Sequence, residues 1–193
     1  MYIRIKRVRK KNGKVYDYAH LIEGVWKKKK KVLIDGKKSF KGFNNSVQKY
    51  RGFLGRVYIC NITNSQPFEN FFGCEFNDFV RDNNVEQVYL SLVKYELLIR
   101  GFKEINEKLI KDGFVVDLKK KSFSDSSREL VFKLGERGGY LCNYTLEKVL
   151  EVKKIKNKQE GINLMKNIKS AGIKLDGDQF FALANKLLEK TNA

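Results

Sequence analysis

Apolar side chains recur with two different periods along the chain. Near the N-terminus, Ile3 and Ile5 alternate with Arg4 and Lys6, which is typical of a strand that exposes one face. Between residues 85 and 102, apolar side chains recur at the spacing of a helix. The pattern therefore predicts a β-rich first part and a second part that contains helices.

The first part is predicted to form an antiparallel sheet. Asn12-Gly13 is a pair that tight type I′ turns prefer, and it follows the first strand closely. The chain is then expected to return as a second strand over residues 15–22. Alternation along that strand places four side chains on one face, namely Tyr16, Tyr18, His20 and Ile22.

Three further segments complete the first part. The pattern predicts a third strand over residues 26–34 that ends at Asp35-Gly36. Residues 37–48 are predicted to form a loop, and residues 50–62 a last extended segment. A boundary is expected near residues 61–66, so that residues 1–62 form a basic β module and residues 63–193 a mixed body.

The second part is predicted to mix helices and strands. Residues 85–102 form its strongest helix. The other predicted elements, in chain order, are a short helix over 105–111 closed by Asp112-Gly113, strands over 114–118 and 130–134 around a turn-rich stretch at 122–127, and helices over 144–153, 158–171 and 178–190. Gly172 is expected to end the second of these three helices. Because the chain combines an antiparallel β module with a mixed body that ends in helices, the predicted fold class is α+β.

The last helix carries two local signals. Asp176 and Gln179 have the spacing of a capping box at its start. Its apolar stripe is predicted to comprise Phe180, Phe181, Ala184, Leu187 and Leu188. Such a stripe is typical of a core face or of a surface that binds a protein partner.

Positive charge is concentrated in the first sixty residues. The chain of 193 residues has a formal net charge of +18 at pH 7. Residues 1–60 contribute +15, because their acids are only Asp17, Glu23 and Asp35, and residues 61–193 contribute +3. Like charges crowded together destabilise the fold that bears them, so the concentration predicts a surface for a polyanion.

Cations and aromatic rings together point to nucleic acid. Cations neutralise phosphates and rings stack on unpaired bases, whereas any single lysine is better read as a solvated surface residue. Arg4, Lys6 and Arg9 are expected on the exposed face of the sheet. The full set of predicted binding residues is Arg4, Lys6, Arg7, Arg9, Lys10, Lys11, Lys14, Tyr16, Tyr18, Trp26, Lys27, Lys28, Lys29, Lys30, Lys31, Lys37, Lys38, Lys41, Lys49, Tyr50, Arg51 and Arg56.

RNA is slightly favoured over DNA as the ligand. The aromatic residues are interleaved with the cations, and no recognition helix preceded by a turn is visible in the pattern. An acidic membrane surface is the competing polyanion, but the lysine-rich segments are predicted to be strands and loops and not an amphipathic helix. We therefore expect a nucleic-acid partner and no membrane.

Four segments of the first part resemble a known family. The segments 1–6 (MYIRIK), 12–18 (NGKVYDY), 21–24 (LIEG) and 49–58 (KYRGFLGRVY) are similar to the N-terminal β region of DDE transposases of bacterial and archaeal insertion sequences. The resemblance covers residues 1–58 and implies contact with DNA near a transposon end. The remaining chain is too short for a long RNase H-like core with spaced carboxylates, which favours a shared binding module on a different body.

The cysteines and the hydropathy predict a reducing, cytoplasmic location. Cys60, Cys74 and Cys142 are scattered and odd in number, so they form neither a disulfide framework nor a zinc motif. No run of about 20 apolar residues is present, and the N-terminus lacks the apolar segment of a secretory signal. Nothing in the sequence indicates a small-molecule cofactor.

One constellation suggests an alternative, metal-dependent nuclease. Asp117 and Lys119 close an apolar strand with the acid-x-Lys spacing of restriction-type nucleases, and Glu96 lies upstream on the strongest helix. The acids would hold Mg²⁺ and the lysine would orient the attacking water. The competing interpretation has Glu96 paired with a nearby Lys or Arg.

Three functional hypotheses therefore stay open. The first is a nucleic-acid-binding protein without catalytic activity, and the second is the nuclease that uses Glu96, Asp117 and Lys119. The third is an interaction module whose C-terminal helices recruit a protein partner.

Overall fold

The structure is a computed structural model that describes residues 1–27, 30–34, 37–41, 45–125, 128–135 and 138–188. Between residues 27 and 45 it describes the backbone of the strands but not their side chains. The chain divides into two compact units, Met1–Gly55 and Arg56–Ala193, called here the N-terminal and C-terminal units. Strands and helices are both present, so the predicted α+β class is confirmed.

The N-terminal unit is made of strands. They are β1 (Tyr2–Arg9), β2 (Val15–Lys27), β3 (Lys30–Ile34), β4 (Lys37–Lys41) and β5 (Asn45–Cys60), the last of which continues into the C-terminal unit. Within the unit, β2 lies between β1 and β5, and β3 and β4 form a separate antiparallel pair.

The loop predicted over residues 37–48 is wrong. Backbone pairing of β4 with β3 occupies residues 37–41, and β5 begins at Asn45. Lysine-rich segments can form strands because the ladder is made by the backbone, and charged side chains are common on exposed strands. The single strand predicted over residues 26–34 is divided between β2 and β3, and residues 28–29 lie outside the described ranges.

The first hairpin closes with a longer loop than predicted. Lys10 and Lys14 close it through a backbone N–H···O bond of 2.8 Å, and the Gly13 amide donates to the Lys10 carbonyl at 2.9 Å. Gly13 has φ of +79°, but Asn12 does not have a positive φ. A type I′ turn needs positive φ at both central residues, so this is a three-residue loop with a left-handed glycine.

The register of β1 and β2 assigns their side chains to two faces. Arg4 is paired with His20 and Lys6 with Tyr18, so these four residues share one face, together with Tyr16. Arg7 and Arg9 lie on the other face, opposite Asp17 and Val15. The expectation that Arg9 accompanies Arg4 and Lys6 is therefore wrong, because residues an odd number apart in a regular strand point to opposite faces.

Among the residues whose burial is described, both faces of this sheet carry partly exposed side chains. The described buried apolar side chains of the N-terminal unit are Ala19, Ile22 and Leu54, while the neighbouring strand residues are half-buried or exposed. The alternation predicts a sheet that exposes one face, whereas the described residues expose parts of both. Polar and aromatic side chains of the described strands are therefore accessible to a ligand.

The C-terminal unit combines six helices with two sheets. The helices are α1 (Phe68–Phe72), α2 (Phe76–Asp82), α3 (Val85–Leu98), α4 (Asn143–Leu150), α5 (Lys158–Ala171) and α6 (Gly177–Leu187). The strands are β6 (Lys103–Ile105), β7 (Lys108–Lys111), β8 (Phe114–Asp117), β9 (Ser122–Ser124), β10 (Leu130–Leu134) and β11 (Tyr140–Leu141). Strands β6 to β9 form an antiparallel meander, whereas β10 pairs in parallel with residues 56–60 of β5 and antiparallel with β11.

The meander replaces a predicted helix. Residues 105–111 form the hairpin of β6 and β7, whose two loop residues, Asn106 and Glu107, have φ of 49° and 62°. Asp112 and Gly113 connect β7 to β8 in the same way, with φ of 49° and 81°. Positive φ at both loop residues is the signature of type I′ turns, and Asn106-Glu107 is not a pair that announces one. The turn-rich stretch predicted over 122–127 is also partly strand, since β9 occupies Ser122–Ser124.

The core of the C-terminal unit is built around β10 and α3. Leu130, Val131, Phe132 and Leu134 are all buried, which is typical of a strand covered on both faces. The ring of Phe132 lies 5.4 Å from that of Phe102 and 5.6 Å from that of Phe114. These contacts connect the sheet of β10 to the meander.

Two short helices precede α3 in a stretch for which the sequence predicted no element. In α1 and α2, Phe68 stacks on Phe72 at 4.3 Å between ring centroids and contacts Phe76 and Phe79 at 5.3 Å. Asn84 caps α3, as its side chain accepts a hydrogen bond from the Gln87 amide in a complete capping box. Aromatic packing stabilises these two helices. Each is too short to show a helical stripe of apolar residues in the sequence, so the pattern did not predict them.

The last two helices follow the prediction closely. α5 has the predicted bounds, and Gly172 ends it with φ of +82°. The capping box of Asp176 and Gln179 is present at the start of α6. The predicted stripe is only partly correct. Leu187 is buried as predicted, but Phe181 and Leu188 are exposed, and Leu183, which was not in the stripe, is buried.

Two further findings concern organisation. The two units divide after Gly55, inside strand β5, whereas the change in composition predicts a boundary near residue 62. Over the described ranges, no helix has the length and apolar content needed to cross a membrane.

Gly172→Ala is expected to lower the free energy of unfolding by about 1–3 kcal/mol, because an alanine there is held in the left-handed region. Its Cβ would also lie 2.9 Å from the Cβ of Leu134. Gly161→Ala is the control in the same helix, where a Cβ comes no closer than 3.9 Å to Ile155. It is expected to stabilise by about 0.5–1 kcal/mol. Urea unfolding measures both, and equal shifts of one sign would contradict this account.

Candidate nucleic-acid interface

A row of five aromatic rings crosses one face of the N-terminal unit. Ring centroids are 6.4 Å apart between Tyr16 and Tyr18, 6.0 Å between Tyr18 and Phe53, 5.6 Å between Phe53 and His20, and 5.8 Å between His20 and Tyr50. Tyr50 is 61% exposed and Phe53 is 50% exposed. We call these five rings the aromatic row. Neighbouring rings are tilted relative to each other at distances typical of aromatic contacts, and part of their surface faces solvent.

Two cations lie beside the aromatic row. Arg4 is directly opposite His20, and Lys6 is directly opposite Tyr18. Arg4 donates from Nη1 to the side-chain oxygen of Gln48 at 2.5 Å, which orients the guanidinium. An open groove of about 660 Å³ lies at β1 and is lined by residues from both faces of that strand and by residues of β2 and β5, namely Arg4, Ile5, Lys6, Arg7, His20, Ile22 and Tyr50.

The described acids of the N-terminal unit are paired on the opposite face. Arg7 forms two hydrogen bonds with Asp17, at 2.9 and 3.0 Å, and Arg51 pairs with Glu23. The hydrogen bond from Arg51 holds the pKa of Glu23 below its ordinary value, so this carboxylate keeps its charge and its partner. Among the described residues, neither Arg4 nor Lys6 has an acid as an ion-pair partner.

The ion pairs separate the unit into two unlike faces. Arg7 and Arg51 are balanced by Asp17 and Glu23, so that on the β1 side of their face Arg9 is the cation without an ion-pair partner among the described residues. The face with the aromatic row keeps the charge of Arg4 and Lys6. An anion is therefore attracted to the side where rings are also available.

Sequence reasoning missed Phe53 and left His20 out of the binding set. Tyr50 and Phe53 are three residues apart, a spacing that puts side chains on opposite faces of a regular strand. Both contact His20, so β5 departs from regular alternation between them, where Gly52 lies. The glycine inside an aromatic strand is the signal that could have indicated this.

The remaining predicted binding residues lie in several places. Lys10, Lys11 and Lys14 are exposed in the first hairpin loop. Arg9 on the face opposite the aromatic row, Lys49 on β5 and Trp26 near the end of β2 are also exposed. Arg56 belongs to the C-terminal unit, where its guanidinium carbon lies 4.6 Å from the ring centroid of Tyr58. The side chains of Lys27, Lys28, Lys29, Lys30, Lys31, Lys37, Lys38 and Lys41 lie outside what the structure describes.

Glu96, the first residue of the nuclease alternative, is buried in an ion pair. Its Oε2 accepts from Nη1 of Arg100 at 2.5 Å, and its Oε1 accepts from the Lys174 backbone amide at 2.7 Å. Glu96 is 1% exposed and Arg100 is fully buried. Arg100 also donates to the Cys60 carbonyl at 3.1 Å. Both carboxylate oxygens are thus committed to holding the fold.

Asp117 and Lys119 are not brought to Glu96. Asp117 accepts from the Lys120 amide at 2.9 Å, a hydrogen bond that fixes the turn after β8. Lys119 is exposed and pairs with Glu107 at 2.7 Å, and this contact raises the pKa of its ammonium group. Each member of the proposed trio therefore has a separate structural partner.

Metal-ligand clusters and thiols are two further kinds of candidate chemistry for the described part of the chain. It contains no group of three or more His, Cys, Asp or Glu side chains placed to hold a metal ion. Burial raises the pKa of the Cys60 and Cys142 thiols, which keeps them protonated and poorly nucleophilic.

Glu96→Ala is expected to lower the free energy of unfolding by about 3–5 kcal/mol, because it leaves the Arg100 charge buried without its partner. Lys119→Ala, which breaks an exposed ion pair, is expected to produce no measurable change. Urea unfolding of both variants provides the comparison. A loss for Glu96→Ala as small as that for Lys119→Ala would contradict the structural role of Glu96.

Comparisons with known proteins gave no match for this chain. The scan against protein-family models, the search of curated proteins and the search of solved structures each found nothing that matches.

Proposed function

We propose that the protein binds unpaired nucleic acid, with RNA favoured over DNA, through the aromatic row and its flanking cations. The observation that carries the proposal is the coincidence of five contacting rings with two cations that have no acidic ion-pair partner among the described residues. Rings supply stacking surfaces for bases, and cations supply contacts to phosphates. The proposed role is binding without catalysis.

Unpaired strands fit this surface better than a duplex does. Bases in a duplex are stacked on one another, so rings on a protein surface reach them only where they are splayed out. The described residues of the N-terminal unit contain no helix that could enter a major groove as a recognition element. A sheet face with exposed rings is a known means of binding single strands.

The two kinds of contact make distinguishable contributions. Each phosphate neutralised by a cation adds about 0.7 to the slope of log affinity against log salt for a single strand. Each stacked base contributes about 1–3 kcal/mol, and stacking is not a counterion-release effect. Salt titration therefore separates Arg4 and Lys6 from Tyr50 and Phe53.

The experiment that tests the proposal is fluorescence-anisotropy binding of the full chain to matched oligonucleotides at several salt concentrations. The set comprises single-stranded RNA, hairpin RNA, single-stranded DNA, duplex DNA and branched DNA. Tighter binding to single strands and hairpin loops than to duplex DNA is expected. A preference for duplex or branched DNA would overturn the stacking mode and favour the resemblance to transposases.

Replacing Arg4 and Lys6 with Gln is expected to weaken binding to all sequences and to reduce the salt slope by about 1.4, which is the contribution of two phosphate contacts. The matched control replaces Arg9 and Arg51 with Gln, which removes the same formal charge from the opposite face at two positions that do not line the groove. Its effect on affinity is expected to be clearly smaller. Equal effects of the two double variants would show that only total charge matters and that the face carries no site.

Replacing Tyr50 and Phe53 with Ala is expected to weaken single-strand binding by about 1–3 kcal/mol for each ring that stacks on a base. The salt slope is expected to stay unchanged, because no cation is removed. The control is Phe181→Ala, an exposed aromatic residue of α6 in the C-terminal unit. An unchanged affinity for the Tyr50/Phe53 variant would exclude stacking on the aromatic row.

A further inference from the structure

The C-terminal unit has an apolar groove that the proposed nucleic-acid function does not use. It has a volume of about 550 Å³ and lies between the end of α5 and the start of α6. Its apolar lining comprises Met165, Ile168, Ile173, Leu175 and Phe180. We call it the α5–α6 groove.

The groove offers apolar surface to a ligand. Met165 is 51% exposed, and Leu175 and Phe180 are half-buried, whereas Ile168 and Ile173 are buried and belong to the core. The floor is therefore continuous with the packed interior, and the rim is reachable from solvent. Methionine adapts its shape to different apolar partners, which makes Met165 suited to a docking surface.

The fold holds this groove in place. The Lys174 amide donates to the buried carboxylate of Glu96, which fixes the segment between the two helices. Gly172 ends α5 in the left-handed conformation, and the capping box of Asp176 and Gln179 fixes the start of α6. A groove fixed at both ends loses little entropy when a ligand binds.

The charged groups that line the groove are unbalanced. Lys169 and Lys174 are both exposed, and neither has an ion-pair partner among the described residues. Asp176 is the acid in the lining, and its side chain accepts a hydrogen bond of 2.8 Å from the Gln179 amide as the cap of α6. The rim therefore presents two cations beside an apolar floor.

We propose that the α5–α6 groove docks an acidic amphipathic protein segment, whose apolar side chains enter the groove while its carboxylates face Lys169 and Lys174. Charge complementarity supports this occupant. A second copy of this chain is disfavoured, because two grooves with the same cations and two chains of net charge +18 repel each other. Nucleic acid is disfavoured, because its phosphates gain nothing from an apolar floor.

The experiment measures anisotropy of a fluorescein-labelled, designed amphipathic peptide with Leu and Phe on one helical face and Glu on the other. It is titrated with the full chain. A second peptide keeps the Glu residues but has Ser in place of Leu and Phe, and it reports binding by charge alone. The first peptide is expected to bind at least about tenfold more tightly than the second, because apolar contacts add to the ionic ones.

Two variants test the groove itself. Met165→Glu is expected to weaken the first peptide by about tenfold or more, because it places a carboxylate where apolar side chains dock. The double variant Lys169→Glu with Lys174→Glu is expected to weaken it by a similar factor through like-charge repulsion. All three positions are exposed, so circular dichroism and urea unfolding are expected to show an intact fold.

Matched controls use the same helices outside the groove. Lys166→Glu reverses an exposed lysine of α5, and Phe181→Ser removes an exposed ring of α6, and neither residue lines the groove. Both are expected to bind the peptide within a factor of about two of the wild type. The Arg4 and Lys6 double variant is also expected to bind it normally, which separates this site from the nucleic-acid surface.

Three outcomes would overturn the inference. Equal affinity for the two peptides would show that charge alone attracts them. Unchanged binding by Met165→Glu and by the Lys169/Lys174 variant would place any site elsewhere. Concentration-dependent dimers in sedimentation experiments, if Met165→Glu abolished them, would assign the groove to a second copy of the chain.

Discussion

The buried ion pair between Glu96 and Arg100 is the constraint on which the C-terminal unit depends. It joins the end of α3 to the Cys60 carbonyl at the end of β5 and to the Lys174 amide between α5 and α6. One guanidinium nitrogen, Nη2, is buried without a hydrogen-bond partner among the described residues. Burying such a pair costs desolvation that its Coulomb attraction only partly offsets, so its structural value lies in fixing one arrangement of these segments.

The N-terminal unit also contains ion pairs between arginines and carboxylates, but these pairs have a different effect. Its ion pairs, Arg7 with Asp17 and Arg51 with Glu23, are exposed, and exposed pairs contribute little stability. Their effect is on the distribution of charge, because they withdraw both described acids from the face that carries Arg4. Among the described residues, the face with the aromatic row therefore carries Arg4 and Lys6 and no acid, whereas both described acids lie on the opposite face. This difference between the faces supports the proposed binding side more directly than the total charge does.

The sequence predicted the elements whose signals are local. Gly172 ends α5 and Asp176 caps α6 because a left-handed stop and a capping box each depend on a few adjacent residues. The hairpin at Asn106-Glu107 is not predicted by the sequence, because Glu107 has positive φ at a position where type I′ turns prefer Gly. At the candidate site, alternation predicted the face of Tyr16 and Tyr18. It could not predict Phe53, whose position depends on an irregularity in β5.

Glu96 shows why a spacing of acids along the chain is weak evidence for catalysis. A helical glutamate on an apolar face must either lose its charge, find a partner or bind a metal, and the sequence alone does not choose among these. Arg100, one helical turn later, supplies the partner for one carboxylate oxygen, and the Lys174 amide supplies it for the other. The same carboxylate then anchors Lys174 and so shapes the α5–α6 groove. A residue first considered as a metal ligand is thus, in the structure, a buried anchor that fixes the segment between α5 and α6.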